Sequence, residues 1–110
     1  MQYLLLVYGE EDERERGSDF QLSDDLREEG RLISSEELQP VATATTVRVR
    51  NGDIVVSDGP FADTKETLGG CHLIEADSFD EAIEWASRVP SACTGAVEIR
   101  PVLQNPEHRE

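Results

Sequence analysis

Residues 69–102, GGCHLIEADSFDEAIEWASRVPSACTGAVEIRPV, contain a complete strand–helix–strand unit. The apolar run Gly70–Ala76 predicts a strand, and Ser78-Phe-Asp-Glu81 is a capping box that predicts the start of a helix. The apolar side chains that share one face of this helix are Ala82, Trp85, Ala86 and Val89. Pro90 ends the helix, and Ala96–Val102 predicts a second strand.

The same order of elements occurs earlier in the chain. Tyr3–Tyr8 is a continuous apolar run, which is typical of a strand buried on both faces. A second capping box, Ser18-Asp-Phe-Gln21, predicts a helix that ends at Gly30. The inward side chains of this helix are Phe20, Leu22 and Leu26. Arg31–Leu38 predicts another strand, and the acidic segment Glu10–Gly17 predicts a solvated loop.

A β-hairpin is predicted between the two units. The residue pattern alternates over Val41–Arg50, Asn51-Gly52 supplies a two-residue turn, and Asp53–Asp58 forms the returning strand. In this register Val49 faces Ile54. The side chains predicted on one face of the hairpin are Val47, Val49, Ile54, Val56 and Asp58. Asp58 therefore ends the returning strand on the apolar side, where a carboxylate needs a partner.

Without the hairpin, the order is β-α-β followed by β-α-β. This is the ferredoxin-like split βαβ plan of an α+β domain, with an antiparallel sheet and helices on one face. If the sheet face away from the helices is also apolar, we expect a second subunit to cover it, because a chain of 110 residues is small. We expect one domain over residues 1–103 and a frayed tail over 104–110.

The composition restricts the classes of partner. Twenty-four acidic and 10 basic residues give a net charge of −14, which repels nucleic acids and anionic membranes. No apolar stretch approaches the roughly 20 residues that cross a bilayer, and no signal-peptide core is present, so we expect a cytoplasmic protein. Cys71 and Cys93 lack the spacing of a disulfide scaffold or metal site. We expect no metal and no cofactor.

The single lysine of the chain, Lys65, lies in DGPFADTKETLGG, residues 58–70, between two predicted strands. Loops on a rigid scaffold often carry binding or catalytic groups. Lys65 suits a proton donor or an anion clamp, and the alternative is a surface ion pair with Asp63 or Glu66. Asp58 suits a general base or a charge partner of Lys65, and the alternative is an Asx turn.

Other candidates lie on predicted strands. Glu98 and Arg100 are two residues apart and therefore share a face, where they either line the same cavity as Lys65 or form a structural ion pair. His72 follows Cys71, but adjacent strand residues point to opposite faces, so the two cannot act as base and nucleophile. His72 is then a packing residue or, alternatively, a binding group.

Several stretches resemble the DGPF branch of the YCII-related proteins: MQYLLLVYG, ELQPVATATTVRVRNG, DGPFADTKETLGG, FDEAIEWASRVP and AVEIRPV. The resemblance implies a ferredoxin-like domain, usually dimeric in an α/β-barrel-like assembly, with a pocket near the subunit contact. It also implies a genetic setting beside extracytoplasmic-function sigma factors. Glu36 falls where the family usually has a glutamate. The founding branch is proposed to use a His–Asp dyad, which is not carried over because the helix predicted over Ser18–Glu29 contains no histidine.

We therefore predict a small homodimeric enzyme with lyase- or hydrolase-like acid–base chemistry on a small anionic or carbonyl compound. The predicted catalytic residues are Asp58, Lys65 and Glu66. The predicted substrate-binding residues are Glu36, Glu98, Arg100 and His72. One alternative is a non-catalytic ligand-sensing or protein-interaction module associated with a sigma-factor pathway. Another is an inert structural dimer, and the sequence leaves the three possibilities open.

Overall fold

The computed structural model describes residues 1–11 and 19–104, with side chains in the first helix from residue 22 onward. Its elements are β1 (Gln2–Gly9), α1 (Asp19–Glu28), β2 (Leu32–Glu37), β3 (Thr45–Arg50), β4 (Asp53–Asp58), β5 (Thr67–Glu75), α2 (Phe79–Ser87) and β6 (Ala96–Pro101). The predictions that fall outside the described part are the capping box at Ser18, the inward Phe20 side chain, the loop over 12–17 and the tail over 105–110.

Strands β1, β2, β5 and β6 form one antiparallel sheet in the order β2-β5-β1-β6. Helix α1 connects β1 to β2 around β5, and α2 connects β5 to β6 around β1. Each helix thus joins two strands that are separated by a third, which is the split βαβ arrangement. The α+β class and the antiparallel sheet agree with the predicted ferredoxin-like plan.

The core lies between the sheet and the two helices. Its buried side chains from β1 are Tyr3, Leu5 and Val7, and those from the helices include Leu22, Leu26, Ala82, Trp85 and Ala86. The helix faces predicted for the described residues are therefore confirmed. The prediction that β1 is buried on both faces is wrong for the single chain, because Leu4, Leu6 and Tyr8 on its other face are only half-buried.

Local hydrogen bonds fix the start of α2 and the end of α1. At the start of α2, Ser78 Oγ accepts a hydrogen bond from the Glu81 N–H at 3.1 Å, as the capping box predicts. At the end of α1, Gly30 has a φ of 70°, and the Arg31 N–H donates to the Leu26 carbonyl at 2.8 Å. This is a Schellman C-cap. Neither described helix is long and apolar enough to cross a membrane.

Strands β3 and β4 pair with each other and with no other described strand. The predicted register is confirmed, since Val49 pairs with Ile54 and the turn residues Asn51 and Gly52 have positive φ. The predicted strand start at Val41 is wrong: a 3-10 turn occupies Val41–Thr43, and its Thr43 hydroxyl donates to the Pro40 carbonyl at 2.7 Å. The apolar side chains of one hairpin face are 60–73% exposed: Val47, Val49, Ile54 and Val56.

Candidate functional site

A cleft of about 690 Å³ opens at the end of β1. Its wall consists of Tyr8, Glu10, Thr64, Lys65, Glu66, Thr94 and Ala96, and we call it the Tyr8 cleft. Pairing of β1 with β6 places Tyr8 opposite Ala96, while the loop before β5 supplies Thr64, Lys65 and Glu66. The sheet thus holds one wall, and two loops supply the charged groups.

Lys65 forms an ion pair across this cleft with Glu10, with 3.1 Å between Nζ and Oε1. The lysine side chain is 86% exposed, whereas that of Glu10 is 28% exposed. The prediction of a solvated loop from Glu10 onward is therefore wrong at its start. Glu11 contradicts it too, because its Oε1 accepts a hydrogen bond from the Val41 N–H at 2.7 Å.

The Tyr8 side chain is hydrogen-bonded to Glu98, and its pKa is raised above the ordinary value of 10.0. Burial is the main cause, followed by the charge of Glu98 and by the hydrogen bond, while Arg100 acts in the opposite direction. Glu98 Oε2 also lies 3.1 Å from Arg100 Nη1. Tyr8 therefore remains a protonated donor at neutral pH and connects the Glu98–Arg100 pair to the cleft.

The structure brings only part of the predicted site together. Lys65 and Glu66 both line the Tyr8 cleft. Glu98 and Arg100 share a face and form the ion pair that was one of the two predictions for them. They reach the cleft through Tyr8 and do not belong to its wall.

Asp58 lies elsewhere. It ends β4 opposite Thr45, is exposed, and is absent from the wall of the Tyr8 cleft. The prediction that its carboxylate needs a partner on an apolar side is wrong for the single chain, because that face of the hairpin is open to water. The Gly59 N–H donates to the Ala44 carbonyl at 2.8 Å, and Pro60, two residues after Asp58 where an Asx turn takes its donor, has no N–H. The catalytic role of Asp58 stays a prediction without support from its position.

Glu36 is also separated from the cleft. The register places Glu36, Cys71, Leu6 and Glu98 in one row across the four strands, on the face away from the helices. Three strand spacings put the two glutamates roughly 14 Å apart along this row, too far for a shared site. Burial, and after it the Glu36 charge, raises the pKa of the Cys71 thiol, which makes it a poor nucleophile at neutral pH.

His72 is buried on the opposite face of the sheet, toward the helices. Its Nδ1 lies 2.6 Å from Ser35 Oγ, which in turn lies 3.1 Å from Ser23 Oγ. This polar chain joins β5 to β2 and α1 inside the domain. The packing alternative for His72 therefore agrees with the structure, and its substrate-binding role stays a prediction without support from its position.

Among residues 1–11 and 19–104, no three His, Cys, Asp or Glu side chains converge as a metal site requires. Both cysteines are free thiols, on different elements. The described side chains in the wall of the Tyr8 cleft supply a phenol, an ammonium, two carboxylates and two hydroxyls. These groups can transfer protons and bind polar atoms.

The sequence interpretation missed Tyr8, Glu10, Thr64 and Thr94. For Tyr8 a usable signal existed: alternation places it on the same face of β1 as Leu4 and Leu6, which is the face that carries Glu98. Glu10 has no such signal, since it follows the strand in a run of similar acids. Its role depends on where the distant Lys65 loop lies.

These observations define an α+β domain with an antiparallel four-stranded sheet, two helices packed on one face, and a charged cleft at the end of a central strand. The chain belongs to the YCII-related domain family, whose model matches residues 1–105. An uncharacterised protein of Rhizobium meliloti (strain 1021) is 43% identical over 77 residues. The match covers 68% of this chain and 62% of that relative's length.

Proposed function

We propose that this YCII-related protein is a homodimeric enzyme that performs general acid–base chemistry on a small organic molecule in the Tyr8 cleft. One observation supports this most strongly: a phenol and an ion-paired ammonium border the same cleft. A hydrogen-bond donor and a positive charge both stabilise an oxygen on which negative charge develops.

The roles follow from the chemistry of each group. On substrate binding, the single O–H of Tyr8 turns from Glu98 to the oxygen on which negative charge develops, and Lys65 stabilises that charge from the mouth of the cleft. Glu10 and Glu66 are the carboxylates in the same wall and are the proposed bases for a proton next to the carbonyl. Glu98 and Arg100 act on the reaction through Tyr8, as positioning residues.

Proton exchange in D₂O tests the proposal without knowledge of the full reaction. Butanone, pyruvate and acetoacetate are incubated with the protein, and loss of their α-proton signals is followed by NMR. We expect catalysed exchange of at least one probe, with a loss of about 100-fold or more in Tyr8→Phe. Tyr3→Phe is the matched control, since Tyr3 lies on the same strand but faces the core. Absence of catalysed exchange with every probe, or equal rates in both variants, contradicts the proposal.

We propose the homodimer because the sheet face away from the helices carries uncovered apolar side chains. Leu4, Leu6 and Leu73 form an apolar area there that the helices do not cover, and each is only half-buried. Sheet faces of this kind bury their apolar side chains against another layer. A second copy of the chain supplies such a layer, and the barrel-like assembly implied by the family resemblance would place it there.

The hairpin favours a second candidate, a non-catalytic ligand-sensing or protein-interaction module in a sigma-factor pathway. A two-stranded hairpin is marginally stable alone in water, and its exposed valines form the kind of patch that marks contact sites. Under this proposal, a purified sigma factor encoded beside the gene binds the wild type. Val49→Arg weakens that binding and leaves cleft chemistry unchanged, whereas Arg50→Met, which changes the other hairpin face, has little effect. No complex with the sigma factor would exclude this role.

A further inference from the structure

A second cavity, of about 570 Å³, lies beside the Tyr8 cleft. Tyr8 and Thr64 belong to the walls of both, so the two spaces adjoin. The volume lies within the range of small-molecule pockets, roughly 300–1,000 Å³. We call this space the Phe61 cavity, after the aromatic residue in its wall. A ligand that extends past Tyr8 and Thr64 would occupy both spaces.

The wall of the Phe61 cavity is mainly apolar. Its apolar side chains include Leu38, Val41, Ala44, Phe61, Ala62 and Leu68. None of the described residues that line it is charged. Two of its backbone donors already have partners: the Leu38 N–H donates to the Gly69 carbonyl at 2.8 Å and the Val41 N–H to Glu11. The mainly apolar wall therefore suits an apolar group better than a charged one.

Contacts from the hairpin support the outer wall. The Arg48 guanidinium lies over the Phe61 ring, 4.8 Å from its centroid, which is a cation–π contact. The Thr46 hydroxyl donates to the Gly59 carbonyl at 2.8 Å, next to Pro60 in the same wall. The base of the hairpin thus positions the loop that closes the cavity.

The charges at the Tyr8 cleft indicate the kind of head group. Among the described residues, Glu10, Glu66 and the adjoining Glu98 outnumber the cations Lys65 and Arg100, and both of these cations are paired with a carboxylate. The whole chain carries a net charge of −14. An anionic head group meets an unfavourable potential here, whereas a neutral carbonyl oxygen can accept a hydrogen bond from Tyr8 without that cost.

We propose that the combined site binds an uncharged carbonyl compound with an apolar tail, its carbonyl group at Tyr8 and its tail in the Phe61 cavity. The position of the carbonyl group rests on the proposed acid–base function. The tail position rests only on the second cavity and is independent of catalysis. The substrate class is therefore a ketone or ester with several tail carbons, rather than the small anion that the sequence also allowed.

Two matched series of probes test this class with the chain of residues 1–110. The ketones are 2-butanone, 2-hexanone and 2-octanone, and the carboxylates are butanoate, hexanoate and octanoate; binding is measured by NMR titration. We expect ketone affinity to rise about fourfold per methylene, as for transfer of a buried CH₂ group. Each carboxylate should bind more weakly than the ketone of the same length.

Cavity variants locate the tail. Ala62→Phe fills the Phe61 cavity and should weaken 2-octanone binding at least tenfold while leaving 2-butanone unchanged. Ala42→Phe is the control, since Ala42 lies between Val41 and Thr43 but outside the cavity wall. If Ala62→Phe does not fold, Leu38→Gln makes the wall polar at nearly constant volume and takes its place.

The outcomes separate this inference from the proposed function. Ketone affinity without length dependence, or unchanged 2-octanone binding in the cavity variant, overturns the tail position even if Tyr8-dependent proton exchange is observed. Tighter binding of carboxylates overturns the uncharged class. Length-dependent ketone binding that Ala62→Phe abolishes supports the inference, and it does so even if no proton exchange occurs, a result that contradicts the proposed function alone.

Discussion

Tyr8 and Glu98 are diagonal neighbours on adjacent antiparallel strands, and a hydrogen bond joins their side chains. Tyr8 pairs directly with Ala96, and Glu98 lies two residues further along β6 on the same face. Diagonal positions of this kind are within reach of a long aromatic side chain. The register of β1 and β6 therefore determines which carboxylate contacts the phenol in the cleft.

Replacement of Glu98 should lower the pKa of Tyr8. Glu98→Gln removes the second-largest cause of the raised pKa and leaves burial, so the pKa should fall but stay above its ordinary value of 10.0. Titration of [ζ-¹³C]tyrosine by NMR measures the shift, with Tyr3→Phe to assign the signals. An unchanged Tyr8 titration in Glu98→Gln would show that the carboxylate does not act on the phenol.

The same raised pKa makes stability depend on pH in the alkaline range. The unfolded chain loses the Tyr8 proton at the ordinary pKa, before the folded chain does, so the contribution of this group is complete below about pH 10. The contribution is lost as pH rises through the folded-state pKa. Urea unfolding at increasing alkaline pH should show a smaller loss of unfolding free energy in Tyr8→Phe than in the wild type. Equal pH dependence would contradict this linkage.

Lys65 should matter for chemistry and little for stability. Its pair with Glu10 is largely open to water on the lysine side, and exposed ion pairs contribute about 0–1 kcal/mol. Lys65→Met should therefore leave the unfolding free energy within about 1 kcal/mol of wild type while reducing catalysed proton exchange. Arg50→Met, at the hairpin tip, is the control for loss of a surface cation. Normal exchange in Lys65→Met would remove the ammonium from the proposed mechanism.

A charge on the sheet face away from the helices should prevent self-association. Leu6 is in the centre of that face, in register between Cys71 and Glu98. Leu6→Glu should convert the proposed dimer to a folded monomer, because a carboxylate directly opposite Glu98 is repelled by it and is unfavourable in an apolar contact. Light scattering at micromolar concentration gives the mass, and Ile83→Glu, on the exposed side of α2, is the control. A wild type that is already monomeric contradicts the dimer.

The sequence predicted the parts of the fold that depend on neighbouring residues. Ser78 and Glu81 close the start of α2, Gly30 ends α1, and the Asn51-Gly52 turn sets the hairpin register. Each of these contacts lies within a few positions of the chain, so residue type and spacing are sufficient. The apolar run of β1 likewise predicted a strand, but not that only one of its faces lies in the core.

The site depends on contacts between distant segments, which spacing alone cannot give. Lys65 meets Glu10 because a loop between β4 and β5 lies beside the end of β1, and neither segment encodes that approach locally. For Asp58, the sequence predicted the correct face of the hairpin but not that this face is exposed to water. The two-residue alternation of a strand assigns each side chain to a face, whereas the burial of that face depends on another element or another chain.

The hydrogen-bonded chain Ser23–Ser35–His72 should contribute to stability and not to catalysis. Ser35→Ala removes the partner 2.6 Å from His72 Nδ1 in a buried position, and loss of one partner of a buried polar group costs about 1–3 kcal/mol. Ser34→Ala is the control, because the neighbouring Ser34 is exposed. Urea unfolding should show the loss in Ser35→Ala alone, and proton exchange in the Tyr8 cleft should be unchanged in both. If exchange falls in Ser35→Ala while the fold is retained, the two faces of the sheet are coupled and His72 regains a functional role.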